Sequence, residues 1–338
     1  MNIKILYIGN RLASKGITAS SIDTLAALFR KEGMIVRSAS SSKNKAARLW
    51  DMLLTTYKNR SWVEVVLIDT YSTSNFWYAI AVGRLCRFLN LKYIPILHGG
   101  NLPQRLESNP KLIKSFLENA HKVVSPSGYL KHAFAKAGFH NIQVVPNSIE
   151  LENYQFKQRS SLQPNLLWVR SFADIYNPMM ALQVLEDLKT IFPQAQLTMV
   201  GPEKDGSMHA CKSWAETRNL NVKFTGLLTK KEWTKLAVDH NIFINTARFD
   251  NMPVSLLEAM ALGLPVISTN VGGIPFMIQD RVNGILVPDS DALSMILAIK
   301  ELIETPQLGC DISINAKTYV EKLDWSHIKR LWNNLLAD

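Results

Sequence analysis

The sequence has few cysteines and no long uninterrupted apolar run, and each shortage excludes a class of protein. Its three cysteines, Cys86, Cys211 and Cys310, are odd in number and widely spaced along 338 residues. They form neither a disulfide framework nor a zinc-ligand pattern, so buried thiols in a reducing compartment are expected. The most apolar stretch, 76–91, is interrupted by a glycine and two arginines, whereas a membrane-spanning helix needs about 20 apolar residues.

The first ten residues, MNIKILYIGN, have the pattern of a strand that leads into a glycine turn. They lack the charged start, the long apolar core and the cleavage site of a signal peptide. Together with the cysteine usage, this favours a cytoplasmic location, and the inner face of the cytoplasmic membrane is the alternative.

Positive charge is concentrated in the first half of the chain. Residues 1–150 contain 20 Lys and Arg against 8 Asp and Glu, whereas residues 151–338 contain 18 against 20. The basic half predicts an anionic partner: a membrane surface, a phosphate-bearing acceptor or nucleic acid. Nucleic acid is disfavoured because no recognisable binding module is present. Segment 43–60 has apolar residues at helical spacing among basic ones, which fits either a helix on an anionic membrane or a core-facing helix with a basic outer face.

Short β-branched runs alternate with helical patterns in two successive series, which predicts an α/β protein with two doubly wound, parallel-sheet domains. The predicted strands are 3–9, 63–69, 92–98, 122–127 and 142–146 in the first series, and 165–171, 196–201, 222–226, 242–246, 265–269 and 284–288 in the second. A polar stretch separates the two series, so the predicted first domain is 1–150 and the linker is 151–163. Ligands of such sheets bind beyond the carboxyl ends of the strands, and the chemistry is therefore expected on strand-to-helix loops that face a cleft between the domains.

The segment RFDNMPVSLLEAMALGLPVISTNVGGIP, residues 248–275, carries the strongest chemical signal. Asp250 and Glu258 are separated by seven residues, while Asn251 and Pro253 are typical of a helix start. Five helical residues rise about 7–8 Å, so the two carboxylates would contact different parts of one ligand. A solvated helix cap and a surface charge would explain the spacing alone, but the residues that follow favour a binding site.

A pair of glycines follows the next predicted strand. Gly272 and Gly273 would let the backbone approach a ligand closely. A helix that begins after Pro275 would direct its first N–H groups toward a phosphate. Simple turn formation is the alternative role for both glycines.

With the two acids, the EAMALGLPV run and the glycine pair at these spacings, the segment resembles the donor-site signature of glycosyltransferase family 4. These are the retaining group 1 enzymes of the GT-B fold. That signature has an acidic residue, seven others and a glutamate before an EAMA-x-G-x-PV run and a GG turn. The resemblance implies that Glu258 binds the ribose hydroxyls of a nucleotide-sugar. It also implies that Asp250 and the backbone of Asn251 and Met252 hold the transferred sugar. Asp250 stands where the family more often has glutamate.

Other segments extend the resemblance over nearly the whole chain. VVPNSIELENYQF (144–156) resembles the hinge segment, HGGN (98–101) the histidine loop beside the sugar, and GNRLASKGITAS (9–20) the loop near the donor phosphate and the acceptor. LDWSHIKRLW (323–332) resembles the helix that crosses back to the first domain, which implies a nucleotide-sugar domain at 164–325 and a returning helix at 326–338. The additional site residues implied in this way are Asn147, His98, Asn10, Lys15, Gly16 and, in the loop that shapes the donor pocket, Gly226.

The diphosphate-binding motif of the family matches poorly. The family has an arginine followed by a Lys-Gly pair, whereas WVRSFADIYNP keeps Arg170 but has Tyr176 or Asn177 at the lysine position. The diphosphate is therefore expected to be neutralised by Arg170 alone, or with a lysine from elsewhere, such as Lys15 or Lys204.

Ordinary structural roles remain as alternatives for two of these residues. Arg170 would instead pair with the nearby Asp174, and His98 would be a hydrogen-bonded core residue at a strand end.

Together these features predict a retaining glycosyltransferase that moves a sugar from an NDP-sugar, with UDP-sugars favoured, to a glycan or lipid-linked acceptor in cell-surface polysaccharide synthesis. Many transferases stabilise the leaving diphosphate with a metal held by an Asp-x-Asp motif. Here Arg170 and helix N-termini are expected to take that role, so no metal and no cofactor are predicted. Because the lysine is missing, a catalytically weak nucleotide-sugar-binding protein is the alternative.

Overall fold

The computed structural model describes residues 2–12 and 20–337, and these residues divide into two units. Unit 1 comprises the described residues up to Pro146 together with those from Arg330 onward, and unit 2 comprises Asn147–Lys329. The boundary thus lies four residues before the predicted domain end, and segment 151–163 groups with unit 2.

Unit 1 contains a parallel sheet. Its strands are β1 (Lys4–Ile8), β2 (Ile35–Ala39), β3 (Val65–Thr70), β4 (Tyr93–Leu97), β5 (Val123–Ser125) and β6 (Ile142–Val144). Its helices are α1 (Ser21–Lys31), α2 (Lys45–Lys58), α3 (Asn75–Phe88), α4 (Leu102–Ser108), α5 (Pro110–Glu118) and α6 (Gly128–Lys136). Within the described residues the strand order is β2-β1-β3-β4-β5-β6, so the order in which successive strands are added to the sheet reverses between β1 and β3.

The central strands of unit 1, β1, β3 and β4, contain uninterrupted apolar runs. β3 is buried along its whole length, as expected for a parallel strand with helices on both faces. The sequence prediction found the other strands but missed β2, which lies at the sheet edge and exposes Ile35 and Arg37. Its alternating exposure weakens the apolar signal on which the prediction depends.

Helix α2 accounts for the amphipathic segment 43–60. Asn44 begins it, accepting hydrogen bonds from the backbone N–H groups of the second and third helical residues. Met52 is buried on the inner face, whereas Trp50 and Tyr57 are 69% and 48% exposed. The helix therefore packs on the core and also presents aromatic side chains outward. No helix within residues 2–12 and 20–337 is both long and apolar enough to cross a membrane.

Unit 2 is built on a second parallel sheet. Its strands are β7 (Asn165–Val169), β8 (Gln196–Val200), β9 (Val222–Gly226), β10 (Ile242–Asn245), β11 (Val266–Thr269) and β12 (Ile285–Val287). The helices that follow are α7 (Pro178–Ile191), α8 (Ser207–Thr217), α9 (Lys230–Ala237), α10 (Val254–Ala261), α11 (Ala292–Glu304), α12 (Pro306–Glu321) and α13 (Trp325–Ala337). In the part of the chain described, the strand order is β12-β11-β10-β7-β8-β9, which confirms every strand predicted for the second series.

The segment predicted as a linker, 151–163, packs inside unit 2. The buried Arg159 donates hydrogen bonds to carbonyl oxygens at the ends of α9 and α10, including those of Leu262 and Gly263. A cation is favourable there because the carboxyl ends of helices carry partial negative charge. Burial lowers the pKa of Arg159 to about 10.

The last helix, α13, passes from unit 2 into unit 1. At its start, Trp325 donates its backbone N–H to the Ile149 carbonyl oxygen. Further along, the Trp332 ring packs edge-on against Phe29, with 5.3 Å between centroids. The Lys122 ammonium group donates a hydrogen bond to the carbonyl oxygen of Leu335, which fixes the end of this helix on unit 1.

Candidate functional site

The strand order of unit 2 predicts where a ligand would bind. The order reverses between the adjacent strands β7 and β10, and open α/β sheets bind ligands at such a reversal, beyond the carboxyl ends of the strands. Arg170 directly follows β7, and Asp250 lies in the loop after β10. The two residues are thus brought to the same point of the sheet from positions 80 apart in the chain.

Arg170 and Asp250 form an ion pair between Nη2 and Oδ2. Their side chains are only 16% and 15% exposed, so the pair is largely shielded from water. The guanidinium also lies over the Tyr176 ring, 4.6 Å from its centroid. Burial lowers the pKa of Arg170, and the neighbouring Tyr176 and Glu258 oppose that shift. An arginine nonetheless keeps its charge in proteins, and the site retains a fixed cation.

The local alternative for Arg170 is wrong. Asp174 pairs instead with Arg248, at 2.6 Å between Oδ1 and Nη1. The Arg248 backbone N–H donates a hydrogen bond to the Ile175 carbonyl oxygen, which holds Arg248 beside Asp174.

Glu258 lies on α10 and is buried. Its Oε1 accepts a hydrogen bond from the Tyr154 hydroxyl at 2.7 Å and lies 2.9 Å from the Lys230 ammonium nitrogen. Burial raises the pKa of Tyr154, and the Glu258 carboxylate raises it further, so the hydroxyl stays a donor. Sequence reasoning missed both partners of Glu258, because each comes from a segment far from α10.

The loop between Asp250 and α10 is held by short hydrogen bonds. Asp250 accepts one from the backbone N–H of Asn251 at 2.9 Å, and the Asn147 side-chain amide donates one to the carbonyl oxygen of Met252 at 2.9 Å. Asn251 and Met252 are both buried. Pro253, not Asn251, occupies the N-cap position of α10, and its side chain makes no capping hydrogen bond.

Gly272 and Gly273 pack against this loop. Gly273 donates its backbone N–H to the Asp250 carbonyl oxygen at 2.9 Å. Gly272 has a positive φ of 54°, and a side chain on it would overlap that same oxygen, while one on Gly273 would overlap the Asn251 carbonyl. The glycines therefore allow the two loops to meet. The predicted helix after Pro275 is wrong: a single 3-10 turn, Ile274–Phe276, follows.

Gly226 ends β9 with a φ of 70° and begins the short loop that leads to α9. Thr229 and Glu232 form a capping box that fixes the start of this helix. Lys230, its first residue, extends from there to Glu258. The start of α9 therefore adds a charged side chain to the cluster formed by Arg170, Asp250 and Glu258, which sequence reasoning did not predict.

Unit 1 contains a separate polar cluster at the ends of β1, β3 and β4. His98 Nε2 donates a hydrogen bond to Asp69 Oδ1 at 2.9 Å, and the Tyr7 hydroxyl donates to the same oxygen at 2.9 Å. The second ring nitrogen of His98 lies 3.4 Å from the Ser21 hydroxyl. Burial raises the pKa of Tyr7, with the Asp69 carboxylate adding to the shift. Sequence reasoning found His98 but missed Asp69, although a carboxylate ending an apolar strand is a visible signal.

Two further predictions concern the loop after β1. Asn10 accepts a hydrogen bond from Arg48 at 3.2 Å through its side-chain oxygen, so this oxygen is engaged within unit 1. Lys15 and Gly16 lie outside the described residues, and their proposed role near phosphate stays a prediction.

One Asp-x-Asp triplet, Asp289-Ser290-Asp291, has the form of a metal-binding motif. Its carboxylates serve local structure: Asp291 accepts hydrogen bonds from the backbone and hydroxyl of Ser294 and caps α11, and Asp289 accepts one from Ser290. Among residues 2–12 and 20–337, no group of three or more His, Cys, Asp or Glu side chains is arranged to hold a metal ion.

A cavity of about 670 Å³ lies elsewhere, between the segments 117–123 and 138–143 of unit 1. These segments precede β5 and β6, so the cavity is at the amino ends of the strands. Ligands of parallel sheets bind at the opposite edge, which makes the charged cluster of unit 2 the stronger candidate.

A family model described as "Glycosyl transferases group 1" matches residues 152–319, which is most of unit 2. Among curated proteins, the amylovoran biosynthesis glycosyltransferase AmsK of Erwinia amylovora is 25% identical over 279 residues. That match covers 75% of this chain and 66% of the Erwinia protein, so the chain spans just under two thirds of that relative's length.

Two solved structures resemble the chain over its full length. A sucrose-phosphate synthase from Thermosynechococcus elongatus has a TM-score of 0.82 at 17% identity, with 99% of both chains covered. HepE from Anabaena, in complex with UDP-glucose, has a TM-score of 0.76 at 15% identity, also with 99% of both chains covered. At such low identities the similarity is one of fold alone.

Proposed function

The chain belongs to the glycosyl transferases of group 1 and has the two-domain GT-B fold, and on that premise we propose that it is a retaining glycosyltransferase. It moves a sugar from a nucleoside diphosphate sugar, with UDP-sugars favoured, to a hydroxyl group of a glycan or lipid-linked acceptor. Unit 2 binds the nucleotide-sugar, and unit 1 binds the acceptor.

The observation that carries this proposal is the arrangement of Arg170, Asp250 and Glu258 where the sheet of unit 2 reverses its strand order. A nucleotide-sugar presents hydroxyl groups on its ribose and its sugar, with negative charge between them. Glu258 is a buried acceptor for the ribose hydroxyls, and Asp250 is one for the sugar hydroxyls. Arg170 supplies positive charge for the diphosphate, since arginine binds phosphate oxygens with two parallel hydrogen bonds.

The proposed reaction proceeds on one face of the sugar. The acceptor hydroxyl oxygen bonds to the anomeric carbon while the bond from that carbon to the β-phosphate oxygen breaks. The hydroxyl proton passes to the departing diphosphate, so configuration is retained without an enzyme nucleophile. Arg170 stabilises the charge that develops on the leaving group, and this is why we propose that no metal ion is needed.

The donor and the biosynthetic role are proposed from similar proteins. AmsK is named for amylovoran biosynthesis, and HepE binds UDP-glucose in its crystal structure. We extend these properties to a UDP-sugar donor and to cell-surface polysaccharide synthesis at the cytoplasmic side of the membrane.

Peripheral membrane contact is proposed for the outer face of α2. Trp50 and Tyr57 are exposed there. Arg60, two residues after the end of the helix, stacks over the Tyr57 ring at 4.1 Å from its centroid. Basic and aromatic side chains together favour the surface of an anionic bilayer. Flotation with anionic liposomes at low and high salt tests this, and absence of binding at low salt would exclude it.

A second candidate is a nucleotide-sugar-binding protein with little transferase activity. It is favoured by Tyr176 and Asn177, which stand at the expected lysine position. Binding of UDP without donor hydrolysis or sugar transfer would support this candidate over the enzyme.

Calorimetry with UDP, GDP and ADP tests the proposed donor site, in the wild-type chain and in Glu258→Gln. We expect wild type to bind one of the three, with UDP favoured, and Glu258→Gln to bind it at least about tenfold more weakly, because a charged hydrogen-bond acceptor is lost. Glu304→Gln, on the exposed surface of α11, is the matched control and should behave as wild type.

Transfer assays with UDP-sugars in excess EDTA then test the chemistry. Activity should persist. Its loss in EDTA, with rescue by Mn²⁺ or Mg²⁺, would exclude the metal-independent mechanism, and failure of all three nucleotides to bind would exclude the donor site itself.

A further inference from the structure

The diphosphate-binding motif lacks the lysine that the family pattern has after the arginine. The residues at the lysine position supply no positive charge. The Tyr176 ring packs against the Arg170 guanidinium, and the uncharged Asn177 immediately precedes α7. Of the two lysines considered from sequence, Lys15 lies outside the described residues and Lys204 lies in the loop before α8. A nucleoside diphosphate carries at least two negative charges near the sugar, and Arg170 compensates only one of them.

We propose that Lys230 is the second cation of the donor site and binds the phosphate groups of the nucleotide-sugar. This inference rests on the proposed function. Lys230 is the first residue of α9, which follows β9. The lysine of the family pattern would instead lie in the segment after β7, near Tyr176 and Asn177.

The position of Lys230 supports this role. Its ammonium nitrogen lies 2.9 Å from Glu258 Oε1, and its side chain is 52% exposed whereas that of Glu258 is buried. The capping box at Thr229 fixes the backbone at the start of α9, while the four-carbon side chain of lysine is flexible. The ammonium group can therefore leave Glu258 and follow a ligand without movement of the helix.

The charges of the cluster give the reason for such an exchange. Without ligand, each acid is paired with a cation: Asp250 with Arg170, and Glu258 with Lys230. A nucleotide-sugar brings neutral hydroxyl groups that can replace the cations at both acids, and anionic phosphates that can take up the cations released. If Lys230 were absent, a diphosphate would meet two carboxylates and one guanidinium, which is electrostatically unfavourable.

A purely structural role for Lys230 makes a different prediction. In that case Lys230 would act with Tyr154 to hold Glu258 in place for the ribose. Its loss would then weaken a nucleoside and a nucleotide by the same factor, because both contain the ribose. A phosphate-binding role weakens only the ligands that carry phosphate.

The test compares uridine, UMP and UDP on wild type, Lys230→Gln and Lys230→Arg, by calorimetry and by competition with labelled UDP. We expect Lys230→Gln to bind UDP about tenfold more weakly and UMP less affected, with uridine within about twofold of wild type. The loss for UDP should shrink at high salt, since screening weakens the interaction of partly exposed charges. Lys230→Arg should retain most of the affinity. Lys231→Gln, the exposed neighbour on α9, is the matched control. If wild type prefers the nucleotide of another base, the nucleoside, monophosphate and diphosphate of that base replace uridine, UMP and UDP.

The outcomes separate this inference from the proposed function. An equal loss for uridine and UDP in Lys230→Gln, or no loss for either, overturns the role of Lys230 and leaves the donor site intact. If wild type binds no nucleotide, both the proposed function and the role of Lys230 are wrong.

Discussion

The two units hold buried or largely shielded carboxylates near the carboxyl ends of their strands, but they stabilise them differently. In unit 1, Asp69 accepts hydrogen bonds from His98 and Tyr7, side chains anchored on or directly after neighbouring strands. In unit 2, Asp250 and Glu258 face an arginine and a half-exposed lysine. Both arrangements lie where the strand order of the sheet reverses. Topology alone therefore does not explain the difference.

The difference indicates which cluster can exchange its partners for a ligand. A buried hydrogen-bond network within one sheet is costly to open, because every group left unpaired has been removed from water. A pair of ions at the edge of a site can be exchanged when a ligand supplies the replacing charge and hydroxyl groups. We therefore expect substitutions in the cluster of unit 2 to change mainly ligand binding and catalysis. Substitutions in the cluster of unit 1 should change mainly the free energy of unfolding.

The largest expected effect is on catalysis in unit 2. Arg170→Ala removes the charge that stabilises the leaving diphosphate, and we expect transfer to fall by about 100- to 1000-fold. Initial rates with a UDP-sugar measure this. Arg248→Ala, which removes only the exposed pair with Asp174, is the control and should stay within about twofold, since surface ion pairs contribute little. A variant Arg170→Ala with more than a tenth of wild-type activity would contradict the role of the guanidinium.

The next largest effect is a loss of stability in unit 1. Asp69→Ala leaves the buried Tyr7 hydroxyl and His98 without their acceptor, which should cost about 2–3 kcal/mol. For a domain of this size that lowers the unfolding temperature by about 5–10 °C. The affinity for UDP should stay within about twofold, because unit 2 binds the nucleotide. Thermal unfolding and calorimetry measure the two quantities.

Glu107→Ala, on the exposed surface of α4, is the control for the loss of a carboxylate from unit 1. If Asp69→Ala unfolds at the wild-type temperature but loses UDP affinity, the distinction between the two units is wrong.

The smallest expected effect concerns His240, a buried histidine of unit 2 whose two ring nitrogens hydrogen-bond to uncharged groups. His240 donates through Nδ1 to the Leu236 carbonyl oxygen and accepts through Nε2 from the Thr198 hydroxyl, both at 2.9 Å. Burial is the main cause that lowers its pKa. The unfolded chain then binds the proton more readily than the folded one. Stability should therefore fall as pH drops below the unfolded pKa of about 6.5.

Unfolding temperatures at pH 7.5 and 5.5 measure this dependence. One such group changes stability by at most about 1.4 kcal/mol per pH unit. The variant His240→Gln should lose less stability on acidification than wild type. The exposed His132→Gln is the control, and an equal acid response of His240→Gln and wild type would show that other groups dominate.

Much of the fold was predictable because burial follows local patterns. β3 and the six strands of unit 2 appear as apolar runs, and their positions match the prediction closely. The edge strand β2 was missed because it is half exposed. The polar segment 151–163 was predicted as a linker from its composition, yet its buried Arg159 is satisfied by distant carbonyl groups, which composition does not reveal.

The site was predictable only where its residues share one segment. Asp250, Asn251, Met252 and Glu258 lie within nine residues, and their spacing along the loop and α10 was visible. Tyr154, in contrast, meets Glu258 across 104 residues of sequence. The helix expected after Pro275 was wrong for a related reason: the glycine turn makes room for the loop at Asp250 and does not start a helix.

The sequence by itself determined the two parallel sheets and the loops that carry polar side chains, because periodic burial and turn-forming residues are local properties. Only the tertiary structure decided the pairings, Arg170 with Asp250, Lys230 and Tyr154 with Glu258, and Asp69 with His98. Those pairings depend on strand order, and parallel strands joined by helical crossovers bring residues together from distant positions in the chain.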